Sequence, residues 1–440
     1  MSASVDLGPL LDDGRWTGYQ KWLVFLTALT IVFDGIDNQL LGVSIPTMMK
    51  EWSVPRGAFS LVISLGFAGM MVGGAVAGIA GDRFGRRTAL LGSMVVFGAT
   101  TLVTVFVHDP GALAVLRFFA GIGLGGAMPN AATLAAEFVP RSRRSIAVTL
   151  TIVCVPLGAT IAGVLGSQVL AHSGWRVLFL IGGIVPLVAA GLLAFLLPES
   201  PRYLARTESR RPELVRLLRR MGHTIGDDTA IRDTAEPPAP RAPIAALFKQ
   251  DFRRDTLALW GSFMSCLLAV YLGFSWLPAV LTGSGFTPAV ASNGITMFNI
   301  GGVVGAIGGG LAFSRVGSRV AMLVMAGGAI AAAIALSLMT IEPGMARLTL
   351  FALLTLCGGL INAAQTTMYA LAANVYPSAI RATGSGIAVA IGRSGAILSG
   401  YAGAWALDRG NAAYFGLMAA AMCVCFVMLS IVRRHVPASR

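Results

Sequence analysis

Apolar residues in this chain come in long, nearly unbroken runs. They do not show the two-residue or three-to-four-residue spacing of half-buried elements. Runs of about 20 apolar residues match the length of helix needed to cross a bilayer. Twelve such runs are present, at roughly 21–43, 59–80, 88–107, 111–136, 146–171, 176–197, 256–281, 288–313, 319–340, 348–374, 379–406 and 411–432. Between the sixth and seventh the pattern breaks. Residues 199–255 are polar and Arg-rich, contain Pro237-Pro238-Ala239-Pro240, and predict a linker with one short amphipathic helix around Leu214 to Met221. The expected fold is therefore an all-α polytopic membrane protein. Two six-helix bundles (21–198 and 256–432) lie between an N-tail (1–20), the linker (199–255) and a C-tail (433–440).

Composition agrees with this pattern. The 440 residues are 55% hydrophobic and only 12% charged, with a mean hydropathy of +0.76; a soluble domain carries about 25% charged residues. A net charge of +13 would suggest nucleic acid, but the positions of the cations explain it better. With the N-terminus inside, 26 of the 33 Lys and Arg fall in inner segments. Five (Lys50, Arg56, Arg176, Arg347 and Arg409) fall in outer loops. This asymmetry places both termini and the linker in the cytoplasm. The scarcity of Lys beside Arg suggests a GC-rich bacterial genome, hence a bacterial inner membrane. The first twenty residues are polar, so no cleavable signal peptide is expected. The five cysteines all fall in apolar runs and the four histidines in loops or run ends. Neither a disulfide framework, a metal site, a cofactor nor a core histidine relay is expected, and no nucleophile–base set suggests an enzyme. A monomer, with the lipid bilayer and small molecules as its partners, is the simplest expectation.

The candidate chemistry lies in charges that sit where hydrocarbon is expected. Asp34 and Asp37 are in the first run and share a helix face with Asn38. Arg117 is in the fourth and Arg393 in the eleventh. A charge at mid-membrane costs about 2.5–3.5 kcal/mol on insertion scales, so each needs a partner or a wet cavity. At 1.5 Å rise per residue all four come out about 20–24 Å from the inner end of their helices. A central site follows, with Asp34 and Asp37 as proton carriers. Arg117 is expected to pair with the aspartates, and Arg393 to bind a substrate carboxylate, for which arginine is the natural two-pronged ligand. Tyr271, Asn299, Asn362, Gln365, Thr366 and Tyr369 are candidates to line the cavity, the last four within two turns of one helix. Trp22, Trp52 and Trp175 read as interfacial anchors.

The two halves repeat. Gly73 to Gly78 leads into Gly81-Asp82-Arg83-Phe84-Gly85-Arg86-Arg87; shifted by 232 residues, Gly305 to Gly310 leads into Ser314-Arg315-Val316-Gly317-Ser318-Arg319. Paired halves on a linker suggest a transporter with its site between them. The loop Gly81 to Arg87 resembles the signature loop of the major facilitator superfamily. Asp34-Gly35-Ile36-Asp37 resembles the Asp-Gly-x-Asp pattern of its aromatic acid:proton symporters. Pro198-Glu199-Ser200-Pro201-Arg202 is similar to a motif shared with sugar and organic ion porters. The resemblance covers the whole chain. It implies that Asp34, Asp37, Arg117 and Arg393 are needed for transport, and that Gly81, Asp82, Arg83, Gly85, Arg86 and Arg87 latch the halves in one conformation. Glu137 and Arg144, at the inner end of the fourth and fifth runs, are expected to contribute a gating or structural ion pair. Asn38-Gln39 departs from the small residues common in the family, which bears on the substrate. The implied function is proton-coupled import of a small, aromatic carboxylate. A non-aromatic organic acid and a proton-coupled drug exporter stand as alternatives; Val155-Pro156-Leu157-Gly158 matches the exporters' fifth-span signature only in part.

Overall fold

The computed structural model describes residues 4–226, 230–232 and 244–438. Pro237 to Pro240 lie outside them. Twelve long helices fill it: α1 (Gly18–Trp52), α2 (Ala58–Phe84), α3 (Arg86–Val103), α4 (Pro110–Glu137), α5 (Arg144–Val169), α6 (Gly174–Leu196), α7 (Gln250–Gly283), α8 (Pro288–Val316), α9 (Ser318–Leu338), α10 (Arg347–Val375), α11 (Ser378–Leu407) and α12 (Asn411–Ile431). Among the described residues, all but α11 contain a stretch long and apolar enough to cross a bilayer; α11 carries Arg393 and packs against α7 and α2. Several helices outrun their apolar stretch because local capping extends them. Thr17 caps α1, accepting from the Gln20 amide at 3.4 Å while Gln20 Oε1 accepts from the Thr17 amide at 2.8 Å. Pro110 and Pro288 open α4 and α8 behind capping Asp109 and Thr287.

The 232-residue repeat is physical. In each half two helices cross at glycines with no room for a side chain. A Cβ on Gly69 or Gly73 of α2 would stand 2.1 and 2.0 Å from the Phe118 and Ile122 carbonyl oxygens of α4; one on Gly301 or Gly305 of α8 would stand 1.9 and 2.0 Å from those of Thr355 and Gly359 of α10. Without water-driven association in lipid, such backbone approach is what holds helices together. Gly73→Ala and Gly305→Ala are each expected to destabilise by about 1–3 kcal/mol, the cost of overpacking. A lowered thermal midpoint of the purified protein in detergent checks this; an unchanged one refutes it. The turns after these helices also correspond. Gly85 and Gly317 take φ of +101° and +85°, values that glycine alone adopts freely.

The halves meet along α1–α7, α5–α8 and α2–α11. The described parts of both tails and of the linker lie on one side, the linker face; the other is the far face. The N-tail is more than a polar tail. Ser4–Asp6 pairs in parallel with Ala230–Arg232 of the linker, and the helix Leu7–Asp12 buries Leu7 and Leu11. The linker helix Arg211–Arg220 buries Leu214, Val215, Leu217 and Leu218. Trp175 differs from an interfacial anchor. It is 1% exposed, packs edge-on to Trp52 and donates to Glu51 at 2.7 Å, because the far-face end of α6 folds under α1.

Candidate functional site

A cavity lies between the halves, with about 830 Å³ of empty space when the part open to solvent is counted. The first half contributes Asp34 and Asn38 from α1, and Met70, Leu124, Met128, Ile152 and Pro156. The second contributes Tyr271 and Phe274 from α7, Asn362, Gln365, Thr366 and Tyr369 from α10, and Arg393 from α11. The lining is mostly apolar and aromatic, with one carboxyl group and one guanidinium.

The four membrane charges divide into two sets. Asp37 is fully buried and bonded to Arg117 at 3.1 Å; it also accepts from the Thr101 hydroxyl. Thr101 accepts from Arg117 at 3.4 Å, and the Phe179 ring lies 5.0 Å from the guanidinium carbon. The desolvation cost of both charges is offset by this pairing, and removing one partner of such a pair costs about 3–5 kcal/mol. Arg117 Nε has no hydrogen-bond partner among the described residues, and Arg117 lines a smaller cavity that shares Asn38, Met70 and Leu124 with the first. Asp34 takes the other direction. It is 2% exposed, lines the main cavity, and its Oδ1 has no hydrogen-bond partner among the described residues. Arg393 lines the same cavity from the opposite half and donates to the Met70 carbonyl of α2. No ion pair within 4.0 Å joins Asp34 to Arg393.

Asn299 lines neither cavity. It donates to Gln39 Oε1 at 3.3 Å, and Gln39 donates to the Phe274 carbonyl at 2.9 Å. Gln39 thus ties α1 to α7 and α8 on the far side of the cavity. Next to it, a Cβ on Gly42 would stand 2.2 Å from the Phe274 oxygen. Further out, Ser64 donates to the Ile397 carbonyl at 2.7 Å and Arg56 to that of Leu407 at 3.1 Å. Among the described residues, every hydrogen bond between the halves lies at the cavity or beyond it toward the far face. Toward the linker face the cavity wall runs on through Met128, Ile152 and Val389.

The signature loop bonds within its own half and to the start of the linker. Asp82 pairs with Arg86 at 2.5 Å, Arg87 donates to the Ala194 carbonyl, and the Arg83 carbonyl accepts from Tyr203 at 3.3 Å. Gly81 sits against Asn130 and Arg86. Glu199, which sequence reasoning quoted only as part of a motif, caps α3: its carboxylate accepts from the Arg87 and Thr88 amides at 2.9 and 3.4 Å and lies against Gly85. A carboxylate at a helix N-terminus complements its orphan N–H groups. Glu137 accepts from the Ser200 hydroxyl and has no ion pair within 4.0 Å among the described residues. Arg144 pairs instead with Asp12 of the N-tail. The expected Glu137–Arg144 neighbourhood is thus a shared cavity with Arg202, while the ion pair goes to the tail.

Residues 27–400 match the Major Facilitator Superfamily. The chain is 34% identical to the gallate transporter of Pseudomonas putida over 93% of its length and 90% of that protein. It is 35% identical to the 4-hydroxybenzoate transporter PcaK of Acinetobacter baylyi over 91% and 88%. The inward open conformation of the xylose transporter XylE from E. coli superposes with a TM-score of 0.74 at 16% identity, over 93% of this chain and 96% of that one, a likeness of fold alone. The chain belongs to the Major Facilitator Superfamily, within its aromatic acid:proton symporters, and is a multi-pass membrane transporter rather than an enzyme.

Proposed function

We propose that this protein imports a hydroxybenzoate-like aromatic carboxylate together with protons across a bacterial inner membrane, with its linker face in the cytoplasm. The observation that carries this is the shared cavity. It sets the Arg393 guanidinium of one half and the unpartnered Asp34 carboxyl of the other against walls of Tyr271, Phe274 and Tyr369. Arg393 is the group for the substrate carboxylate. The aromatic walls take the ring, and Asn362, Gln365 and Thr366 suit ring hydroxyls. The transport of gallate and 4-hydroxybenzoate by relatives supports the same substrate class.

Asp34 is the proton carrier in this reading, and Asp37 the fixed counter-ion of Arg117. Ionised Asp34 competes with the substrate for Arg393; protonated Asp34 leaves Arg393 to the substrate. Proton and anion therefore load together. With the far face sealed by Gln39, Ser64 and Arg56, the arrangement is the inward-facing member of an alternating-access pair. The loop Gly81 to Arg87 engages the second half only when the linker face closes.

The test is uptake of labelled 4-hydroxybenzoate into proteoliposomes with and without an inward proton gradient. Accumulation that collapses with a protonophore is the expected result. No aromatic uptake, with protons released when amphiphilic cations are added, would replace import by drug export.

A further inference from the structure

A second chamber lies on the far face, outside the sealed layer. It is open to solvent, has a volume of about 580 Å³ and is walled by both halves. Its chemistry is one-sided. Lys50, at the end of α1, and Arg56, in the turn before α2, both line it. No carboxylate lines it, and no carboxylate oxygen among the described residues comes within 4.0 Å of either cation. Arg176, elsewhere on this face, contrasts with them: Glu51 neutralises it at 2.6 Å. Between the cations the wall is apolar, with Leu170 from the first half and Phe286 and Pro288 from the second. Thr47 adds a buried hydroxyl without a hydrogen-bond partner.

Two uncompensated cations beside an apolar shelf fit one ligand chemistry, a small organic anion with a flat apolar body. We propose that this chamber is an outer recruitment site for the aromatic carboxylate, distinct from the central cavity and occupied before it. The proposal rests on the reading of the far face as the outside and of the cargo as such an acid. Cationic walls in a recess concentrate anions at the mouth and raise their arrival rate. Arg56 adds a consequence. Its guanidinium holds the Leu407 carbonyl across the two halves at 3.1 Å. An anion that draws this guanidinium away removes one of the hydrogen bonds that keep the far face shut, so recruitment favours the outward-open state.

The Lys50 side chain is exposed and makes no hydrogen bond or ion pair among the described residues, so its replacement leaves folding intact. The experiment compares the wild type with Lys50→Glu, Lys50→Gln and Lys50→Arg, using labelled 4-hydroxybenzoate at low ionic strength. Apparent KM is measured for transport from the far face and, in inverted vesicles, from the linker face. The expected result is a far-face KM raised about tenfold in Lys50→Glu and about threefold in Lys50→Gln, within the range of electrostatic steering. The far-face kcat stays the same and the wild-type value returns in Lys50→Arg; on the linker face the KM does not move and the kcat falls in the same proportion, because the ratio of kcat/KM on the two faces is fixed by the transport equilibrium. At molar salt the differences vanish, as the screening length falls to about 3 Å. An unchanged far-face KM in Lys50→Glu, or a linker-face KM that rises with it, overturns the recruitment site while leaving the transport reading in place. Absence of aromatic uptake by the wild type from either face overturns both.

Discussion

Arg393→Gln is expected to abolish carrier-mediated aromatic uptake, with the apparent affinity falling by roughly thirty-fold to a few thousand-fold. That range corresponds to the roughly 2–5 kcal/mol lost when one partner of a desolvated charge pair is truncated. Arg393 is the one cation in the main cavity wall, and its hydrogen bond to the Met70 carbonyl fixes its direction. Arg393→Lys keeps the charge but loses the planar fork. An ammonium on a shorter, more strongly hydrated stem cannot hold the Met70 carbonyl and a two-oxygen ligand in the same geometry. It is expected to recover less than a tenth of wild-type activity, a tenfold loss being about 1.4 kcal/mol. Initial uptake rates in proteoliposomes, with the thermal midpoint in detergent as the control for folding, decide the matter. Near-normal uptake by Arg393→Gln would remove Arg393 from the substrate site.

This dependence follows from the way the fold allocates its charges. In the proposed mechanism the second half supplies the substrate cation, and the first half the titratable acid. The first half also contains a sealed ion pair, Arg117–Asp37, that needs nothing from across the interface. A rocking motion that parts the halves therefore changes the surroundings of Asp34 and Arg393 and leaves the Arg117–Asp37 contact intact. The bonds it must break on the far face are few, at Gln39, Ser64 and Arg56. Three are side-chain bonds to backbone carbonyls and a fourth joins Asn299 to Gln39 Oε1; the neutral ones are each worth about 0.5–1.5 kcal/mol net and that of Arg56 about 1.5–3 kcal/mol, small enough for ligand binding to shift the balance.

Much of this architecture is legible in the sequence because membrane helices obey a simple length rule and the repeat exposes itself in glycines 232 residues apart. The presence of charged residues in hydrocarbon also singles out Asp34, Asp37, Arg117 and Arg393 without any structure. What the sequence does not give is where they point. Asp34 and Asp37 are about 60° apart around a helix, near enough to read as one patch. The structure sends one to the cavity and the other to Arg117, because Thr101 of α3 and Arg117 of α4 are packed against that side of α1. Such choices depend on contacts tens of residues away. Glu199 shows the same limit: its cap on α3 joins residues 112 apart. Gln39 was visible as a departure from the family's small residues, and its bonds to α7 and α8 give that departure a structural meaning. The buried N-tail helix was not visible, since Leu7 and Leu11 are too few to stand out in a polar stretch.

Asp34→Asn is expected to separate binding from coupling. Asparagine has nearly the shape of the protonated acid and stays neutral at every pH, so Arg393 remains free for substrate and the cavity keeps its volume. Exchange of labelled for unlabelled 4-hydroxybenzoate across the membrane should continue, since exchange needs the loaded carrier alone to reorient. Uphill accumulation should disappear, because no proton is taken up on one side and released on the other. The ratio of inside to outside substrate then settles at about one under a proton gradient, as it must for a ligand whose two states of the carrier have no other bias. Asp37→Asn should behave differently. It leaves the Arg117 guanidinium, 4% exposed, without its counter-ion, at a cost of about 3–5 kcal/mol. Its signature is lost stability and yield rather than uncoupled exchange. Paired exchange and accumulation assays on the two variants distinguish the roles. If Asp34→Asn still accumulates substrate and Asp37→Asn folds well but cannot, the proton belongs to Asp37, and Asp34 is a substrate-facing acid instead.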